Sequence, residues 1–262
     1  MSRFCPLFSS SSGNCSFVGT SQHGLLVDVG CSHKRVLGAL EQNMIDPAAI
    51  IGIAVTHEHG DHVCGLRTFL KKHRVPVIAS PSTLKSLMAC GKLCPDDPMI
   101  PICDDKVVLE DIAIQRVATS HDCDGSSGFV FSLPDERRVA VCTDLGYISD
   151  DIAAALEGCD LVMIESNHDI NMLKNGPYPP QTKARILSDR GHLSNGACAA
   201  LLPRLVKSGT TRIVLGHLSQ NNNLPALALS TARAAMTDAG YREKCDYILY
   251  VAPVCNGRMF YL

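Results

Sequence analysis

An α/β fold with two mixed β-sheets and helices on the outside is what the sequence predicts, and three observations carry that expectation. Short apolar runs bounded by turn residues recur along the whole chain, alternating with stretches of helical periodicity. Strand-like runs follow one another between residues 106 and 143 before alternation with helices resumes. A single doubly wound sheet would not produce that order. No composition shift marks a linker within the 262 residues, so one domain over residues 1–262 is the economical reading.

Taken in order, the expected strands begin with Leu25–Val29 and Ile51–Val55, each an apolar run stopped by glycine or by polar residues. Gly65–His73 has helical spacing, Pro76–Ala79 is a short strand, and Pro81–Cys90 is a helix with Ser80 as cap and Pro81 at its first position. Lys106–Leu109, Ile112–Ala118, Gly128–Leu133 and Arg138–Thr143 then read as consecutive strands. Helix Asp150–Leu156, strand Leu161–Glu165 and helices Gln181–Arg190 and Asn195–Lys207 follow. Strand Arg212–Gly216, helix Pro225–Ala239 and strands Tyr247–Ala252 and Gly257–Tyr261 complete the chain.

Composition narrows the function classes. Hydrophobic residues make up 46% and charged residues 19%, far from disordered composition. No apolar run approaches the ~20 residues of a membrane-spanning helix, and the N-terminus lacks a signal-peptide pattern. A cytoplasmic protein with no membrane partner is the expectation. Thirteen cysteines occur with no CxxC, which predicts buried reduced thiols rather than disulfides or a zinc finger. The formal net charge is −2, so any nucleic acid must be held locally and not by overall basicity.

The strongest signal is His57-Glu58-His59-Gly60-Asp61-His62, placed directly after an apolar strand. In extended chain, side chains two apart point the same way, so His57 and His59 suit one metal. Gly60 is expected to permit a tight reversal that turns Asp61 and His62 towards a second metal. Three further residues end apolar strands or sit in polar loops after them: His121 in TSHDCDG, Asp144 in VCTDLG and His217 in RIVLGH. Singly each reads as a structural residue; beside the histidine-rich motif each reads as a ligand. His192 in RGHLSN and His168 in ESNHD occupy similar places. His23, His33 and His73 lie in polar or helical contexts where solvated positions are expected.

The order HEHGDH, His121, TDLG and GH, with Asp28 in LLVDVG, resembles the metallo-β-lactamase superfamily. The resemblance implies a four-layer αββα sandwich with two divalent metals at one edge of the sheets. An aspartate at position 144, where β-lactamases commonly carry cysteine, is similar instead to glyoxalase II, ribonuclease Z and related phosphodiesterases. SSSSGNC, ESNHD with GPYP, and GHLSN together resemble the bacterial YycJ/WalJ (VicX) group, which implies a 5′-to-3′ exonuclease of double-stranded DNA. The chain has no room for the long arm of ribonuclease Z or the inserted domain of β-CASP nucleases.

On this reading His57, His59 and His121 hold one metal, Asp61, His62 and His217 the other, and Asp144 bridges. Zinc, manganese and iron all suit such ligands. A hydroxide shared by the metals is the expected nucleophile, with Asp61 orienting it. His192 stabilises or protonates the leaving oxygen, or is a structural histidine at a helix start. His168 is a catalytic candidate or a hydrogen-bond partner. For substrate, Ser11, Ser12, Gly13 and Asn14 form either a phosphate-binding loop of backbone N–H groups or a plain turn. Lys174, Lys183, Arg185 and Arg190 give a local positive excess that equally fits a solvated helix face. Tyr178 is a candidate for stacking on a base. The substrate expected is a nucleic acid, DNA before RNA. The alternatives are a small phosphodiester, a glyoxalase II-like thioester, and a phosphate-binding sensor without turnover.

Overall fold

Burial of both faces of the central strands sets the layering. The computed structural model describes residues 1–262. Six strands, β1 (Arg3–Phe8), β2 (Cys15–Gly19), β3 (Gly24–Val27), β4 (Ile50–Ala54), β5 (Val77–Ala79) and β6 (Met99–Pro101), lie side by side in chain order. The second sheet runs in order through β7 (Val107–Leu109), β8 (Ile112–Ala118), β9 (Ser127–Ser132), β10 (Arg138–Cys142), β11 (Leu161–Glu165), β12 (Arg212–Gly216) and β13 (Ile248–Val251). Strand β14 (Phe260–Tyr261) returns to the first sheet beside β1, giving seven strands in each. Both sheets are mixed: β3 to β6 and β10 to β13 are parallel, and the remaining neighbours antiparallel.

The helices are α1 (His33–Gln42), α2 (Gly60–Val63), α3 (Leu66–Leu70), α4 (Pro81–Ala89), α5 (Asp150–Leu156), α6 (Ile170–Asn175), α7 (Pro180–Ile186), α8 (Asn195–Lys207) and α9 (Pro225–Asp238). Leu25 and Val27 of β3 face Val139, Val141, Leu161 and Met163 of the second sheet, forming the core between the sheets. Leu26 points the other way, to a core shared with Val36 of α1, Phe69 of α3 and Leu84 of α4. Ala140, Val162 and Ile213 likewise back onto α5, α8 and α9. Two sheets with helices outside both faces are the four-layer sandwich expected from the sequence.

Strands Ile112–Ala118, Leu161–Glu165 and Arg212–Gly216 and helices Asp150–Leu156 and Asn195–Lys207 form with the bounds their patterns predict. Strands β1, β2 and β6 and helices α1, α2 and α6 are additional. Pro6 argues against a strand at β1, since proline donates no ladder hydrogen bond; the register shifts between Pro6 and Phe8 and accommodates it. Helix α1 has a legible stripe, Val36, Ala39 and Leu40.

Three other expectations change. Gly60 opens the single helical turn α2, and a Cβ there would touch nothing, so no reversal depends on it. His33 is buried, with Nε2 3.2 Å from His73 Nε2 and its ring against Phe69, because α1 and α3 pack there. All thirteen cysteines are free thiols, but only six are buried; Cys64, Cys90, Cys94, Cys103, Cys245 and Cys255 are exposed. Burial pushes the Cys142 and Cys198 thiols up to about 12, which keeps them protonated and unreactive. No helix is long and apolar enough to cross a membrane.

Candidate metal centre

Parallel strands deliver their C-terminal residues to one edge, and there the histidines and acids converge. Asp28 follows β3, His57, His59, Asp61 and His62 follow β4, Asp144 follows β10, Glu165 ends β11 and His217 follows β12. His121 comes from the loop between β8 and β9, and His192 from the segment ahead of α8. Asp28, Asp144 and His217 have φ of 62°, 59° and 53°. Non-glycine residues rarely adopt this left-handed region, and such strain gathers where side-chain placement is dictated by a site.

His57, His59 and His121 form one donor group, with Nε2 of His57 3.1 Å from Nδ1 of His59. Asp61, His62 and His217 form a second. Asp144 lies between them, Oδ2 3.4 Å from His62 Nε2 and Oδ1 3.8 Å from His121 Nε2. Within each group all candidate ligand atoms fall within 4.8 Å of one another. Asp144 Oδ2 and His217 Nε2 are buried with no hydrogen-bond partner, as fits atoms whose partner is an ion. The residues present therefore fit divalent metal, with histidine and carboxylate donors of the kind that bind such ions.

Behind the donors sits a set of orienting contacts. Asp28 accepts from the Thr56 amide (2.8 Å) and hydroxyl (2.9 Å) and pairs with His62 Nδ1 at 2.8 Å. That leaves His62 Nε2 for the centre. Glu165, absent from the sequence-derived candidates, is fully buried and holds two imidazoles. Its Oε1 lies 2.9 Å from Nδ1 of both His192 and His217, while Oε2 accepts from the Leu145 and Leu193 amides. The available signal was a glutamate ending an apolar strand. Asn167 also lay outside the candidates; it donates to the His217 carbonyl at 3.0 Å.

Burial lowers the affinity of the His57 and His121 rings for protons. Burial acts the same way on His62 and His217, but Asp144 with Asp28 outweighs it at His62, and Asp144, Asp61 and Glu165 outweigh it at His217. His62 is held well above the ordinary histidine value and His217 at about 10. Against its own burial, Asp61 is held below the carboxylate range by His217 and His62, and Glu165 by His192 and His217.

The centre opens into a cleft of about 380 Å³ lined by Asp61, Asp144, His192 and His217 on the centre's side and by Tyr178, Thr182 and Arg185 opposite. His192 is 13% exposed, flanked by His121 and His217 rings at 5.0 and 5.4 Å. His168 does not line the cleft. It is buried with neither ring nitrogen hydrogen-bonded, and burial lowers it to about 4.

In the Ser11–Asn14 loop, for which a phosphate cradle and a plain turn were both open, three backbone amides are already engaged. The Ser12 amide donates to Ser10 Oγ, the Gly13 amide to the Ser10 carbonyl and the Asn14 amide to the Asp61 carbonyl. Only Ser11 of the four lines the cleft. Asn14 instead braces the centre, Nδ2 3.1 Å from His62 Nε2 and 3.3 Å from Asp61 Oδ2. A Cβ at Gly13 would lie 2.4 Å from Cys31 Sγ, so glycine here permits close packing.

Residues 23–218 match the model of the beta-lactamase superfamily domain. The chain is 35% identical over 239 residues to the exodeoxyribonuclease YycJ of Bacillus anthracis, covering 91% of this chain and 90% of that protein. It is 34% identical over 251 residues to the exodeoxyribonuclease WalJ of Streptococcus pneumoniae, covering 95% and 93%. Among solved structures, zinc-bound PqqB from Methylobacterium extorquens superposes with a TM-score of 0.72 over the full length of both chains at 15% identity.

Proposed function

The chain belongs to the beta-lactamase superfamily and is one of its metal-dependent hydrolases; from that premise we propose that it degrades double-stranded DNA from the 5′ end, cleaving phosphodiester bonds at the two-cation centre. The observation that carries the reading is His192. Glu165 fixes its Nδ1 at 2.9 Å, and its ring stands at the cleft, clustered with Asp144, Glu165 and His217 beside the two donor groups assigned to the cations. A histidine so oriented suits protonation of a leaving oxygen. The exodeoxyribonuclease names of both curated relatives support DNA as the substrate.

In this mechanism His57, His59 and His121 would hold one cation and Asp61, His62 and His217 the other, with Asp144 serving both. Such a pair would supply a water-derived nucleophile at neutral pH and positive charge for the phosphoryl oxygens. Asp61, ionised and braced by Asn14, orients the attacking group through its free carboxylate oxygen. The His192 imidazole passes a proton to the departing 3′ oxygen, and Glu165 stabilises the charge that the ring carries before transfer. Glu165 keeps His217 in the matching orientation.

End-labelled duplex DNA, incubated with purified protein and added zinc or manganese, tests the proposal. Stepwise loss from the 5′ end is expected from the wild type and not from Asp61→Ala. His192→Ala is expected to retain its metal while turnover falls roughly 100-fold or more, the scale of general acid catalysis. Intact DNA together with hydrolysis of a glutathione thioester would move the protein to the glyoxalase II-like alternative. Loss of metal from His192→Ala would overturn the division of roles.

A further inference from the structure

Of the four basic residues that give the 174–190 segment its positive charge, the fold turns one towards the centre. Lys183 Nζ is bound to the Lys174 carbonyl, and Arg190 Nε to the His121 carbonyl. Arg185 lines the cleft. On helix α7, Arg185 and Ile186 line the cleft together with Thr182, lying three and four positions on from it, the spacing of neighbours on a helical surface. It is the only cationic lysine or arginine in a wall that also carries Asp61, Asp122 and Asp144.

Arg185 is also pre-oriented. Its Nη1 donates to Asp122 Oδ2 at 2.7 Å, and Asp122 Oδ1 lies 3.2 Å from His121 Nε2 and 3.4 Å from His59 Nε2. The guanidinium therefore stands one side chain away from the first donor group. One of its five N–H donors is engaged by Asp122, and the remainder suit the oxygens of a phosphate. With the scissile phosphate at the centre, Arg185 is the one lysine or arginine lining the cleft for the next phosphate along the strand. At about 380 Å³, the cleft lies near the lower end of the ~300–1,000 Å³ typical of ligand sites.

Resting on the exonuclease reading above, we propose that Arg185 anchors the phosphate of the terminal nucleotide, so that the enzyme selects 5′-phosphorylated strand ends over 5′-hydroxyl ends. The anchor acts on binding of the end and not on the metals.

The test compares kcat and KM on one duplex bearing either a 5′-phosphate or a 5′-hydroxyl, for wild type, Arg185→Lys and Arg185→Met, with metal content measured for each. Wild type is expected to favour the phosphorylated end roughly 10- to 100-fold in kcat/KM, the scale of a charged hydrogen bond. Arg185→Met brings that ratio close to one, chiefly through KM, and Arg185→Lys restores part of it. An unchanged ratio in Arg185→Met, or loss of its metal, overturns the proposal. If metal-loaded wild type degrades neither duplex, the exonuclease reading fails, and the anchor is decided separately. In that case thymidine 3′,5′-bisphosphate is tested as an inhibitor of bis(p-nitrophenyl) phosphate hydrolysis. Inhibition at least tenfold weaker in Arg185→Met upholds the anchor, and equal inhibition rejects it.

Discussion

Asp144, with Asp28 and Glu165 behind the rings, governs how the centre handles protons. With no cation bound, His62 is held well above the ordinary histidine value by Asp144 and Asp28, and His217 at about 10 by Asp144, Asp61 and Glu165. A group whose pKa is raised on folding contributes stability below its unfolded value of about 6.5. For His217 that contribution fades as pH climbs through about 10. Metal ligation needs both rings deprotonated. Chelated protein is thus expected to lose stability between pH 7 and 10, while metal affinity rises over the same range and binding at pH 7 releases protons. Titration calorimetry in two buffers of different ionisation enthalpy checks this; identical heats would show that the rings are already neutral. Glu165→Gln is a sharper probe. Each carboxylate oxygen accepts two donors, so either amide orientation sets an NH₂ against two N–H groups. The substitution should cost about 1–3 kcal/mol in thermal unfolding and weaken metal binding roughly 10- to 100-fold. Unaltered affinity would remove Glu165 from the centre's support.

Strand ends, at the next scale, are where the fold stores its precision. The loops after β3 and β1 are pressed against the loop after β4: Val29 N donates to the His62 carbonyl, Gly65 N to the Val29 carbonyl, and, from the β1–β2 loop, Asn14 N to the Asp61 carbonyl. A Cβ at Gly30 would fall 1.8 Å from the Asp61 carbonyl oxygen, a clash with backbone that no rotamer relieves. Gly30→Ala should therefore push Asp61 away from His217 and lower occupancy of the second cation more than the first. Metal analysis and thermal denaturation with and without zinc would show it, and full occupancy of both would mean that the loop yields. At the same edge, Ser194 caps α8 by accepting from the Ala197 amide, which fixes the start of α8 just after His192.

For the molecule as a whole, the chain alone determined much. Short continuous apolar runs specified most strands, because the central strands bury their two faces in separate cores. Clustered donors in HEHGDH announced a metal site, because their contact is local in sequence. Strand β1 was hidden because Pro6 reads as a break until its neighbour β2 supplies the register shift that accommodates it. The Ser11–Asn14 loop left a phosphate cradle and a plain turn both open because composition does not reveal where amide protons point; Ser10 takes the Ser12 and Gly13 amides within the turn, and only tertiary packing against Asp61 and His62 made Asn14 a brace. Glu165, 20 or more residues from every amide and imidazole it holds, gained its role only when parallel strands aligned their ends. The choice of Arg185 among four basic neighbours was likewise decided by the face that α7 turns to the cleft. Sequence fixes what a residue can donate or accept and its partners a few positions away. Which distant group it meets depends on strand order and helix rotation, and those are settled by burying apolar surface across the entire chain.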